Sequence, residues 1–174
     1  LANDAGINQV TAKQWLSVLQ TSYLVRLLPA HHKNYRKSLR KRPKLHFLDT
    51  GLVCYLLGIR SSEILRSHPL RGAIFESFVV SELVKAFANR GERAPLHHWR
   101  DATGHEVDVL IDLGTGQIPV EVKSGLTVAG DAFAGLRWWT SIPNNPNAAG
   151  LLIHGGTASR TQFGFRLRPW WIWD

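Results

Sequence analysis

Two short stretches of this chain hold acids and a lysine at spacings that strand geometry turns into a site. Glu106-Val107-Asp108-Val109-Leu110-Ile111-Asp112 alternates, so an extended backbone puts Glu106, Asp108, Leu110 and Asp112 on one face. In Pro119-Val120-Glu121-Val122-Lys123 the valines take one face and Glu121 and Lys123 the other. Gly114-Thr115 between them reads as a two-residue turn closed by Leu113 and Gly116. That register sets Asp108 opposite Glu121 and Lys123 opposite Glu106, and a one-residue slip would send one carboxylate through the sheet. Two carboxylates on neighbouring strands can hold a hard cation such as Mg²⁺ or Mn²⁺ through oxygen. A lysine two positions on can reach a water or a phosphate. Phosphodiester hydrolysis needs those parts: a metal to polarise phosphate and acidify water, and a cation for the charge that develops.

A third acid comes from the segment after Pro69, where Phe75, Phe78, Val79, Leu83 and Phe87 recur at helical spacing up to about Asn89. Glu76 shares a face with Val79, Val80, Leu83 and Phe87, and a carboxylate on such a stripe needs a metal or cation beside it. Glu82 is the second choice. The candidate catalytic set is therefore Glu76, Asp108, Glu121 and Lys123, with Asp108, Glu121 and Glu76 as metal ligands.

Around these residues the chain predicts strands over 96–100, 106–113 and 117–124, a helix over 130–141, a strand over 149–154 and a strand-like tail over 163–173. Ahead of the long helix lie a short buried helix over 52–57, stopped by Gly58, and another near 62–66. The order of elements describes an α/β fold with a mixed sheet flanked by helices. The first 48 residues read as the later part of a winged helix. Thr11 caps a helix to about Gln20 with Val10, Trp15, Val18 and Leu19 as its apolar face. A strand follows over 23–28, then a basic wing loop over 33–42 and a returning strand over 43–48. The division expected is a winged-helix-like segment over 1–48 and a second domain over 49–174.

The formal charge is +8, and Lys33, Arg36, Lys37, Arg40, Lys41, Arg42 and Lys44 crowd seven of the 21 lysines and arginines into twelve positions. An even basic surface would not do that, so a polyanion is the expected partner, with phosphate contacts from Lys33, Arg36, Lys37, Arg40, Lys41, Arg42 and, beside the acid strand, Arg100. Trp99 could stack on an unpaired base. His105 sits next to the proposed site, where a loop histidine without a role is the commoner outcome. The single cysteine, Cys54, excludes an internal disulfide framework and suits a reducing cytoplasm. No apolar run approaches the length of a membrane span. No Gly-x-x-x-x-Gly-Lys-Ser/Thr sequence occurs, so these residues hold no phosphate loop for ATP.

Gly72-x-x-Phe75-Glu76, Trp99-Arg100 with Gly104-x-Glu106-Val107-Asp108, and Glu121-Val122-Lys123-Ser124-Gly125 together resemble the restriction-endonuclease-like PD-(D/E)xK superfamily. In particular they resemble domain of unknown function 4143, and Pro43-Lys44-Leu45-His46-Phe47-Leu48-Asp49-Thr50-Gly51-Leu52 extends the likeness. The resemblance implies a nuclease-like fold at the C-terminal end of an AAA-type ATPase, binding DNA and cutting phosphodiesters with Mg²⁺ or Mn²⁺. It also implies a missing ATPase part that alone would bind ATP. The alternative is a non-catalytic DNA- or protein-binding module of that ATPase. The tryptophan-rich tail suits contact with the missing part or a second copy, so a homo-oligomer fits as well.

Overall fold

The computed structural model describes residues 1–31, 42–101, 103–142 and 149–172. The N-terminal helix α1 runs Gln9–Thr21 and is capped by Asn8, whose side chain accepts from the Thr11 N–H. The cap lies three residues before the Thr11 expected from sequence, because Asn8 holds the extended backbone an N-cap requires. The apolar face assigned to this helix is not buried: Val10, Trp15 and Val18 are 66%, 58% and 64% exposed. Strands β1 (Val25–Leu28) and β2 (Lys44–Phe47) pair antiparallel. The basic residues Lys33, Arg36, Lys37, Arg40 and Lys41, read as a wing, lie outside the described residues.

Helix α2 (Thr50–Leu56) starts at Asp49, whose carboxylate accepts from the Leu52 N–H. It was expected to be buried, yet none of its residues is; Tyr55, Leu56 and the following Leu57 face outward. A short α3 (Ser62–Ser67) leads into the long α4 (Arg71–Ala88), which ends where Gly91 takes a positive φ.

The main sheet has six strands: β3 (Leu96–Arg100), β4 (Glu106–Asp112), β5 (Gln117–Lys123), β6 (Leu151–His154), β7 (Arg160–Gln162) and β8 (Phe165–Pro169). Their order is β3-β4-β5-β6-β8-β7. The first three strands are antiparallel, β5, β6 and β8 run parallel, and β7 closes as a hairpin on β8. The chain is thus mixed α/β with a mixed sheet. The tail expected as one strand through Trp173 is instead this hairpin, turned by Phe163 and Gly164 at φ 53° and 81°. Strand β8 stops at Pro169.

Between β5 and β6 the chain crosses through a 3-10 turn (Gly130–Phe133) and α5 (Ala134–Thr140), as a parallel connection requires. Helix α4 lays Val79, Val80, Leu83 and Phe87 on Val109, Ile111, Val120, Val122 and Ile153. Phe133 and Leu136 pack against Leu152, Phe165 and Leu167, and Trp139 against Trp99, Val107 and Leu110. The N-terminal segment belongs to the same packing, since Leu28 sits in the α4 cluster. Along the outer edge of β3, His98 donates its N–H to the Pro29 carbonyl and accepts from the His31 N–H.

Candidate active site

The β4–β5 register is Val109↔Val120, Leu110↔Pro119, Ile111↔Ile118 and Asp112↔Gln117, with the Leu113 N–H closing on the Gly116 carbonyl. This is the parity derived from sequence. Gly114 carries the positive φ, 77°, that the first residue of such a turn demands. Toward the open end the ladder stops, and the Val122 N–H donates to Asp108 Oδ2 at 3.0 Å. Regular alternation fails there as well: Val107 and Leu110, of opposite parity, share one apolar cluster.

Asp108 and Glu121 converge on one ammonium. Lys123 Nζ lies 3.0 Å from Glu121 Oε2 and 4.0 Å from Asp108 Oδ2. These three residues and Glu106 line a cavity of about 330 Å³, with Gly104, His105, Asp131 and Gly135 among its other walls. Glu121 is only 5% exposed. Burial, with the adjacent Asp108 carboxylate adding, pushes its carboxyl up to about 8 against the pull of Lys123. For Lys123, burial lowers the pKa, but Glu121 and Asp108 more than reverse that and hold it above its ordinary value.

Glu76 reaches the cluster from α4 by a different route. It accepts from Lys44 Nζ at 3.0 Å and is not among the walls of the cavity. Burial raises its pKa and Asp108 raises it further, while Lys44 acts in the opposite direction. Glu82, the second choice, pairs instead with Lys85 on the surface of the helix.

Lys44 is the residue whose partners sequence reasoning missed. Counted in the basic cluster and placed on the strand that follows the wing, it stands 2.6 Å from Glu106 Oε1, 3.0 Å from Glu76 Oε1 and 3.8 Å from Asp108 Oδ1. Burial alone would lower its pKa, but Glu76, Asp108 and Glu106 together carry it well above the usual lysine range. Next along β2, His46 is pushed down to about 4 by burial and by Lys44, so it stays neutral at neutral pH. Gly135 was also missed. A methyl group there would run into Glu121 Oε1 and the Glu106 carbonyl, so only glycine lets α5 come this close. The one available signal was a glycine inside a helical pattern.

At the mouth, Asp101 accepts from the Thr103 N–H and hydroxyl, the His105 N–H and His105 Nδ1, all at 2.8–2.9 Å. The Trp138 ring stacks on His105 and, on Trp99, at 4.5 Å in each case. Trp99 is fully buried, so it cannot stack on a base as suggested from sequence. Arg100, proposed to touch nucleic acid, faces Glu106 at 3.4 Å. Arg42 is exposed, with its carbonyl accepting from His98 Nε2.

The donors around the cavity are hard oxygens, the right chemistry for Mg²⁺ or Mn²⁺. Even so, among the described residues no three His, Cys, Asp or Glu side chains stand together as a ready metal cage. Two ammonium groups stand among these acids instead, Lys44 between Glu76, Glu106 and Asp108, and Lys123 between Asp108 and Glu121. What does fit a cation is the Asp108–Glu121 pair, whose mutual repulsion a positive ion would relieve. A larger cavity of about 500 Å³, lined by Cys54, Phe75, Phe78 and Trp170 among others, is mainly apolar and lacks any such cluster.

The chain belongs to the family described as domain of unknown function (DUF4143), whose model matches residues 71–172. Residues 1–63 match a second model, domain of unknown function (DUF8612). Uncharacterized proteins of Mycobacterium bovis and Mycobacterium tuberculosis are each 33% identical to it over 123 residues. The match covers 71% of this chain but only 27% of either relative. No solved structure matches. Among the described residues, no helix is long and apolar enough to cross a membrane.

Proposed function

We infer that this domain is a divalent-metal-dependent nuclease of the restriction-endonuclease-like PD-(D/E)xK kind, acting on DNA that its basic N-terminal segment holds. The observation that carries the reading is the single cavity lined by Asp108, Glu121 and Lys123, with the two carboxylates within reach of one ammonium. Asp108 and Glu121 would hold the ion, which when bound would polarise the scissile phosphate and acidify a water. Lys123 orients that water and steadies the charge growing on phosphate. Glu76 acts through Lys44 rather than at the ion. The basic residues at 33–42, joined to a helix and hairpin of winged-helix type, supply sequence-independent phosphate contacts. Since the match covers about a quarter of the mycobacterial relatives, the rest of such a protein, an AAA-type ATPase in this reading, would load the substrate.

A second reading, a non-catalytic DNA- or protein-binding module of that ATPase, is favoured by the two lysines that already neutralise the acids. Plasmid nicking in Mn²⁺ or Mg²⁺ separates the two. The nuclease reading expects cutting that EDTA stops and that Asp108→Asn and Lys123→Met lower at least 100-fold, the scale of removing one charge-stabilising group. Salt-sensitive retention of DNA with no cutting under any divalent ion would select the module.

A further inference from the structure

The unexplained feature of the site is Lys44. It comes from β2, outside the residues 71–172 that define the family match, yet it is the cation with the most carboxylate partners in the cluster. An ammonium has three protons to donate. Two of them face Glu106 at 2.6 Å and Glu76 at 3.0 Å, and Asp108 stands at ion-pair range, 3.8 Å, so the charge of Lys44 is already matched by three carboxylates. Its side chain is a quarter exposed, unlike the freely solvated lysine of a DNA-binding loop.

The acids divide between two cations. Lys44 takes Glu76 and Glu106, Lys123 takes Glu121, and Asp108 lies between them with one oxygen toward each. Hydrolases that use two metal ions keep them about 3.5–4 Å apart around a shared carboxylate. Asp108 is the shared carboxylate here, and on its Oδ1 side the second positive charge is already present as an ammonium.

We propose that Lys44 is the built-in second cation of this site: its ammonium occupies Glu76 and Glu106, so a divalent ion finds only Asp108 and Glu121 and binds once per chain. The proposal rests on the metal reading above and deepens it. It makes Lys44 a positioning residue, delivered by the N-terminal hairpin, that fixes the metal count. Removing the charge leaves Glu76, Glu106 and one side of Asp108 without their cation, and on this proposal a second divalent ion takes its place.

Titration with Mn²⁺, following the free-ion paramagnetic resonance signal, reads the count without any need for turnover. Wild type and Lys44→Arg, which keeps the charge, are expected to bind one ion per chain. Lys44→Met is expected to bind two, and the second is lost again in Lys44→Met combined with Glu76→Gln. Circular dichroism checks that each variant folds; should Lys44→Met not fold, the wild-type and Lys44→Arg counts still decide. Two ions in either of those proteins would overturn the proposal. So would one ion in Lys44→Met at unchanged affinity, a result that leaves the metal reading standing. No bound ion in wild type or Lys44→Met would overturn both.

Discussion

The β4–β5 hairpin carries a polar cluster at each end, and the two behave differently. At the turn end, His31 Nε2 lies 3.0 Å from Asp112 Oδ2 and 3.3 Å from Gln117 Nε2, and His31 and Gln117 are buried. One carboxylate meets an imidazole there, the His31 ring packs edge-on against His97 and Trp139, and the result fastens the N-terminal segment to the sheet. At the open end, Glu76, Glu106, Asp108 and Glu121 face Lys44, Lys123 and Arg100, and Glu106, Asp108, Glu121 and Lys123 line a cavity. Matched polar groups packed solid hold parts of a fold together, whereas surplus charge beside open volume is available for binding.

The sharpest way to break this contrast is to fill the open end. Gly135→Val should lower stability by roughly 3 kcal/mol, because the added carbons meet the Glu106 backbone carbonyl as well as Glu121. Urea denaturation checks it, and a wild-type midpoint would show that α5 can move off the pocket freely.

At the turn end, His31→Ala should cost about 2 kcal/mol by removing a buried ring. On the metal reading proposed above, Mn²⁺ should raise the melting temperature by linkage, and His31→Ala should leave that rise unchanged. A lost metal response in that variant would mean that the two ends are not independent.

The pH dependence tests the surplus charge itself. Glu121 binds its proton more tightly folded, near 8, than an ordinary carboxyl does unfolded. Between those values the folded state holds the extra proton, so this contribution is complete below the ordinary carboxylate range and is lost as pH rises toward 8. Thermal melts from pH 5 to 8 should show wild type losing on the order of 1 kcal/mol per pH unit more than Glu121→Gln at the steepest point. Parallel curves would remove Glu121 from the account.

The smallest effect on stability belongs to the basic segment. Replacing Arg36, Lys37, Arg40 and Lys41 by alanine should leave stability within about 0.5 kcal/mol while flattening the salt dependence of DNA binding. An unchanged salt slope would take the segment out of the DNA reading.

The open end was legible where local rules act alone. Gly114-Thr115 and the alternating valines set the register, whereas helical spacing left Glu82 near the same stripe as Glu76, and the structure pairs Glu82 with Lys85. It was illegible where a partner distant in the chain decides. Lys44 was assigned to the returning strand after Pro43, but nothing local announces that α4 and β4 surround it with acids. Val10, Trp15 and Val18 have amphipathic spacing, but burial needs a surface opposite, and none of the described residues covers them. Phe163 takes a left-handed φ that no sequence rule for phenylalanine anticipates, which concealed the β7–β8 turn.

The backbone bonds from Pro29 and His31 to His98 also matter for how the molecule meets its own copies. A sheet that ends in an unpaired strand invites another chain to add to it, and proteins guard against this by covering or shortening the border. Residues 29–31 cover β3, and at the far border β7 is only three residues long. A shortened chain starting at Leu48 would keep every acid of the cavity, lose Lys44 and leave β3 open along its length. Such a piece should self-associate as concentration rises, which sedimentation checks.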